Sequence, residues 1–344
     1  MAPLLATSVL TSVLIVDDEP AVRDLMTRWA RSLGLDVASA ASVDDAMAAL
    51  RIRHFDLAIL DVMMPGRDGL WLARELKATQ ADTAVVLATA YTDLLGGTME
   101  PLAIADLLVK PFERDRFVLA IDRGRQWRRQ AIGETRWLAQ LSLDLRDGVD
   151  SLCLEVDRAI ETGVDEIDAL LSFACQRDPA MFAHSERVAA FALAVAREMR
   201  ADDLLLTLGD AARLHDIGKL AVPRPIATRP SPLTPGELTI MRRHVDAGAE
   251  ILASTRTLSS LVPLVLASHE WFNGGGYPLG LTGDAIPLGS RIITICDSYD
   301  AMTQDRLYRG RMDSKDALDE IVRCTGSQFD PEVSSVFLSL LGKA

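Results

Sequence analysis

The sequence predicts a doubly wound α/β domain with a five-stranded parallel sheet, then a helical linker, then an all-α domain. Three observations carry this prediction. Residues 12–120 alternate short β-rich runs with amphipathic helical stretches. Residues 121–165 lose their prolines and most of their β-branched residues, as a long helix does. From about residue 166 the pattern is helical to the end, broken by a proline-rich loop ("VPRPIATRPSP") and a glycine-rich one ("NGGGYPLGLTGD"). The expected boundaries are therefore 1–120, 121–165 and 166–344.

In the first segment the strands are "SVLIV" (12–16), "LDVASA" (35–40), "DLAIL" (56–60), "AVVLAT" (84–89) and "ADLLV" (105–109), each expected to be followed by a helix. Their apolar residues run continuously rather than alternating, which fits a sheet covered on both faces. In the linker, Gly133, the "DG" at 147–148 and Gly163 are expected to interrupt the helix. Leu138, Leu141, Leu145, Val149, Leu152 and Val156 recur every three or four residues and form an apolar stripe. Such a stripe serves equally for packing on the helix's own domain or for a dimerising signalling helix. In the third segment Thr234, Pro235 and Glu237 spell an N-cap, a first-turn proline and a capping box.

The formal charge of −13 argues against direct binding to a nucleic-acid backbone. Four cysteines without a CxxC pair indicate neither a disulfide framework nor a zinc knuckle. The apolar start lacks a basic region before it, and no window holds 18 uninterrupted apolar residues. A cytoplasmic protein without signal peptide or membrane insertion is expected.

Ligands of an open parallel sheet bind at the carboxyl ends of its strands. Asp17 and Asp18 follow the first strand, Asp61 the third, Thr89 ends the fourth and Lys110 follows the fifth. Carboxylates gathered there repel one another unless a hard divalent cation joins them, and oxygen ligands suit Mg²⁺. The lysine and hydroxyl can neutralise and hydrogen-bond a phosphoryl group carried on the central carboxylate. Any one of these aspartates could simply cap a helix; the five together form a pattern.

That pattern, in "VLIVDDE", "LDVMMPGRDG", "LATA" and "VKP", resembles the response-regulator receiver domain, a flavodoxin-like fold, over roughly residues 10–125. The resemblance implies phosphotransfer from a sensor histidine kinase to Asp61, with Thr89 and Lys110 reading the phosphate. Where the family often has an aromatic residue, three positions before the lysine, this chain has Leu107.

Four of the five histidines, His184, His215, His244 and His269, lie in the second half. Helical spacing puts His184 with Val188, Phe191 and Val195, His215 with Leu208, Ala211 and Ala212, and His244 with Ile240 and Ile251. One inward histidine is ordinarily a satisfied core residue; several in one bundle need partners for their nitrogens, and a metal supplies them. In "HDIGK" the imidazole of His215 can bind one metal while Asp216 bridges to a second, Asp297 can close the first site, and Lys219 is spaced to hold a phosphate. Paired metals about 3.5–4 Å apart are a recurring device of phosphodiester cleavage. Imidazole plus carboxylate suits Fe, Mn or Zn.

"AHSERV", "HDIGKLAVP", "RRHVDAGAEIL", "GGGYPLGLTGDAIPLGSRIITICDSYDAM", "RLYR" and "GSQFDPEV" resemble the HD-GYP family over roughly residues 165–340, an HD-type metal-dependent phosphohydrolase fold. The resemblance implies a phosphodiesterase converting cyclic di-GMP to pGpG or GMP. It implies two Fe or Mn ions, or Zn, on His184, His215, Asp216, His244, His269 and Asp297. Lys219, Gly276, Tyr277, Pro278 and Arg306 map to the nucleotide contacts. Three positions depart from the family: Ser268 replaces a histidine, Asn273 an aspartate, and Ala180 the glutamate of members with a third metal. The first two departures leave a competing expectation, a domain that binds cyclic di-GMP or a protein without useful turnover.

Overall fold

A computed structural model describes residues 12–90, 103–304 and 310–342. The chain divides into two compact units, Met1–Trp137 and Leu138–Ala344.

The first unit is built on β1 (Ser12–Val16), β2 (Asp36–Ala40), β3 (Leu57–Asp61), β4 (Ala84–Thr89) and β5 (Asp106–Val109), with α1 (Pro20–Ser32), α2 (Val43–Ile52) and α3 (Gly69–Thr79) as crossovers. All pairs are parallel and the order is β2-β1-β3-β4-β5. Each helix between neighbouring parallel strands must cross over one face of the sheet, so helices cover both sides. Val43 and Ala46 of α2 and Leu72, Ala73 and Leu76 of α3 pack on one face; Met26 and Ala30 of α1 pack on the other. The helix expected between β4 and β5 falls at residues outside those described. β3 and β4 are wholly buried, whereas β2, at an edge of the sheet, exposes Asp36 and Ser39 and fully buries only Ala40. The rule of continuous apolar strands holds in the middle of the sheet and weakens at its edges, at β2 and at β5, which starts with Asp106 and exposes Val109.

From Arg114 a single helix, α4 (Arg114–Glu161), runs for 48 residues. Phe117, Ala120 and Ile121 at its start belong to the α1-side core of the first unit. Leu141, Leu145, Val149, Leu152 and Val156 are buried in the core of the second unit. The apolar stripe is thus packed within its own domain, the first of the two uses open to it. Gly133 and Gly148 lie inside the helix and do not break it. Gly163 does mark the end, at φ +90° just beyond the last turn.

The second unit is helical: α5 (Glu166–Arg177), α6 (Pro179–Glu198), α7 (Leu205–Leu214), α8 (Arg224–Ala227), α9 (Pro235–Arg242), α10 (His244–Ser254), α11 (Val262–Leu266), α12 (Leu288–Thr303), α13 (Ser314–Cys324) and α14 (Pro331–Leu341). Aspartates at 165, 178, 313 and 330 cap four of these helices by accepting backbone N–H groups of the first turn. The Thr234–Glu237 capping box forms as expected, and Glu237 also pairs with Arg229. Val188, Ala192 and Val195 of α6 pack with Leu208, Ala211 and Ala212 of α7 and Ile292, Ile293 and Ile295 of α12. This core sets three helix ends or faces around one point. No described helix is long and apolar enough to cross a membrane.

Candidate metal centre

The imidazoles are oriented before any ligand is considered. His215 and His244 each direct Nδ1 to a backbone oxygen three residues back, Ala212 and Met241, at 2.8 Å. A carbonyl oxygen only accepts, so Nδ1 carries the proton and Nε2 presents its lone pair inward. His184 on α6 turns Nδ1 to Asp300 on α12 at 2.6 Å, and Arg187 holds Asp300 from the other side at 2.6 and 2.9 Å. Neither Asp300 nor Arg187 was singled out in the sequence. The signal was available: each stands three residues after a ligand-type residue, His184 or Asp297, and so shares its helix face.

Two groups result, His184–His215–Asp297 and Asp216–His244–His269, each with one donor atom per residue within 4.8 Å of the others. Asp216 stands between them. Its Oδ2 lies 3.4 Å from His215 Nε2 and 3.9 Å from His184 Nε2. Its Oδ1 lies 3.2 Å from His244 Nε2 and 3.8 Å from His269 Nε2. Asp297 lies 3.0 Å from His184 and 4.0 Å from His215. The six residues expected as ligands, from five separate places in the chain, come together in these two groups.

The donors fit divalent cations. His215 Nε2 and Asp216 Oδ1 are buried without a hydrogen bond of good geometry, and a lone pair facing a carboxylate oxygen calls for a cation between them. Burial alone would raise the carboxyl groups of Asp216 and Asp297. Lys219 and His215 for the first, and His184 and His215 for the second, outweigh it and hold both well below the usual range. Burial would likewise lower His184, but Asp297 and Asp300 raise it to about 9. In His244 burial wins over Asp216 and keeps the ring neutral, the form that binds metal.

Lys219 points its ammonium at Asp216 Oδ2, 2.5 Å away, from the exposed edge of the site. Gly218 explains why "HDIGK" needs glycine: a Cβ there would lie 1.9 Å from the His244 carbonyl oxygen and 2.4 Å from the Gly248 nitrogen. That approach seats the 3₁₀ turn Ile217–Ala221 directly on α10.

The glycine-rich loop is pinned from below. Glu270, buried, accepts the N–H groups of Leu279, Gly280 and Leu281 at 2.6, 3.1 and 3.1 Å. Gly276 allows the loop to return, since a Cβ would fall 2.3 Å from the Trp271 nitrogen. Tyr277 stacks on His269 with ring centroids 5.2 Å apart and planes 5° apart, and Arg242 lies over the Tyr277 ring at 4.9 Å. Asn273 accepts the Gly275 N–H at 2.9 Å, a turn-closing bond that needs only an oxygen, so an aspartate's charge is not required for it. Ser268 is buried and gives its hydroxyl to the Val265 carbonyl at 2.8 Å, away from the metal groups. Arg306 lies outside the described residues.

At the carboxyl edge of the sheet in the first unit, Lys110 Nζ lies 2.8 Å from both Asp17 and Asp61 and 3.8 Å from Glu19. The carboxylates that group here are Asp17, Glu19 and Asp61; Asp18, expected among them, is not in this group. Burial, with the nearby Asp61 charge, raises the Asp17 carboxyl despite Lys110. Such a cluster fits a hard cation. Thr89 is buried and receives the Lys110 backbone N–H on its own carbonyl at 2.8 Å. Leu107 packs half-buried with the α2 and α3 side of the sheet. Gly69 lets α3 start against Asp61, whose carbonyl oxygen would be 2.0 Å from a Cβ.

A phosphoacceptor-type sheet edge and a helical dimetal-type centre in one chain define a two-component regulator with a hydrolase output. The response regulator receiver domain family matches residues 13–122 and the HD domain family residues 169–333. A cyclic di-GMP phosphodiesterase of Thermotoga maritima is 30% identical, covering 96% of this chain and 90% of its own. The cyclic di-GMP phosphodiesterase response regulator RpfG of Xanthomonas campestris is also 30% identical, covering 95% and 87%. The cyclic di-GMP phosphodiesterase PA4108 of Pseudomonas aeruginosa is 40% identical over 48% of this chain and 40% of its own. The chain belongs to the response regulators that join a receiver domain to an HD-GYP domain.

Proposed function

We propose that this response regulator is a metal-dependent phosphodiesterase that opens cyclic di-GMP, and that phosphorylation of Asp61 by a sensor histidine kinase modulates it. The observation that carries the reading is Asp216, buried, with one carboxylate oxygen turned to each of two imidazole groups. His184, His215 and Asp297 would hold one divalent ion, His244 and His269 the other, and Asp216 both. Imidazole with carboxylate points to Fe or Mn, with Zn also compatible. Bound there, such ions supply Lewis acidity toward the phosphodiester and an activated water.

The protein's own side chains do the rest. Asp300 and Arg187 keep the His184 ring turned inward, and the Ala212 and Met241 carbonyls do the same for His215 and His244. Lys219, at the exposed edge, neutralises phosphate oxygens as the dinucleotide settles. Gly276, Tyr277, Pro278 and Arg306 contact the nucleotide. In the receiver domain Asp17 and Asp61 with Asp18 or Glu19 would hold Mg²⁺, and Thr89 and Lys110 would meet the phosphoryl oxygens. The segment 121–165, expected as a linker between residues 1–120 and 166–344, is helical to Glu161 and lends its second half to the core of the helical unit.

Protein purified anaerobically with Mn²⁺ or Fe²⁺ should contain two ions per chain and release pGpG or GMP from cyclic di-GMP. His215→Ala and Asp216→Ala should lose both properties. Two bound ions with no cleavage would refute the enzymatic reading.

A further inference from the structure

Gly148 was expected to break α4 and instead sits within it. Glycine in a helix interior costs about 1 kcal/mol against alanine, so its place asks for a compensating contact. The contact is with the backbone of Ala221. A Cβ on Gly148 would lie 2.6 Å from the Ala221 carbonyl oxygen and 3.1 Å from its Cα. Ala221 closes the 3₁₀ turn Ile217–Ala221, which follows Asp216 and contains Lys219. On its other side the same turn meets α10 through Gly218, where a Cβ would strike the His244 carbonyl and Gly248. The turn is therefore held between two helices by two contacts that admit no side chain. One helix carries His244. The other is α4, whose first residues lie in the core of the receiver sheet.

We infer that Gly148 is a positioning residue for the metal centre: its bare backbone lets α4 bear on the Asp216–Lys219 turn and set where those two side chains stand. The inference rests on Asp216 being a ligand shared by two ions. Gly133 is the internal control, because it lies in the same helix and a Cβ there meets nothing within 4 Å.

The test compares full-length wild type, Gly133→Ala and Gly148→Ala by Mn²⁺ titration calorimetry and metal stoichiometry, with circular dichroism as the check on folding. Gly133→Ala should bind Mn²⁺ as wild type does. Gly148→Ala should bind it about ten- to a hundredfold more weakly, the loss typical when a group that orients a ligand is disturbed. Equal affinity in wild type and Gly148→Ala overturns this inference alone, whereas a wild type that takes up no Mn²⁺ overturns the metal reading with it. A second arm needs no variant. In wild type, Mn²⁺ should slow amide exchange both in residues 217–222 and in α4 around residues 145–152, since coupling is reciprocal. Slowing confined to the turn counts against the inference.

Discussion

Ser268 and Asp300 show how single residues decide what the site can hold. Ser268 stands next to His269, yet its hydroxyl is committed to the Val265 carbonyl. Ser268→Ala should therefore leave Mn²⁺ affinity within about twofold, while losing about 1 kcal/mol of stability for the hydrogen bond. A large fall in affinity on calorimetric titration would make the serine a ligand after all. Asp300 is the opposite case, absent from the expected ligands and central to their orientation. Asp300→Asn weakens the charge-assisted bond to His184 and leaves Arg187 without its anion. Metal affinity should drop about ten- to a hundredfold with the fold retained, and an unchanged isotherm would show that the His184 ring needs no such support. The ligands themselves could be read from the chain because imidazoles on apolar faces are chemically conspicuous. Their supports could not, because aspartates and arginines are common on helix surfaces and only the fold reveals which are turned inward.

Among the elements, β1, β3 and β4 were readable because an interior parallel strand needs apolar residues on both faces, while β2 shows the limit: an edge strand keeps polar residues such as Asp36 and Ser39. The helix α4 was readable as a helix, but its glycines were not, since a local rule cannot sense that Gly148 is needed for a neighbour 73 residues away in the chain. Glu166 at the start of α5 adds a tie no local pattern predicts. Its carboxylate accepts the N–H groups of Arg256 and Thr257 at 2.8 and 2.7 Å and the Thr257 hydroxyl. Burial opposes ionisation, but these bonds prevail and lower its pKa. A lowered carboxylate pKa adds stability above the unfolded value, about 4.3, and that stability is lost as pH falls through the native value. Glu166→Gln should thus be destabilised by about 1–3 kcal/mol at pH 7, with the gap from wild type narrowing as pH drops below about 4. A gap independent of pH in denaturant titrations would place the effect in packing rather than charge.

For the whole molecule the decisive fact is that the acidic side chains gather at two separate places, Asp216 and Asp297 among the histidines of the second unit and Asp17 and Asp61 around Lys110 in the first. Each unit has its own apolar core, so ligands of one should stabilise that one. Binding to the native state alone adds about 2.7 kcal/mol when free ligand is a hundredfold above its dissociation constant. Mn²⁺ at that excess should raise the unfolding temperature of the helical unit by about 5–11 °C, at about 2–4 °C per kcal/mol for a unit of this size. The effect should vanish in Asp216→Ala, where the carboxylate common to both groups is gone. Mg²⁺ with beryllofluoride should instead raise the transition of the sheet unit, and Asp61→Asn should abolish that rise. Trp29, packed against Phe112 and Phe117 beneath the sheet, gives a fluorescence signal for the sheet transition to set beside calorimetry of the whole chain. If Mn²⁺ moved the Asp216→Ala transition as far as the wild-type one, the ions would be binding elsewhere, and the convergence of four histidines on Asp216 would have a purely structural cause.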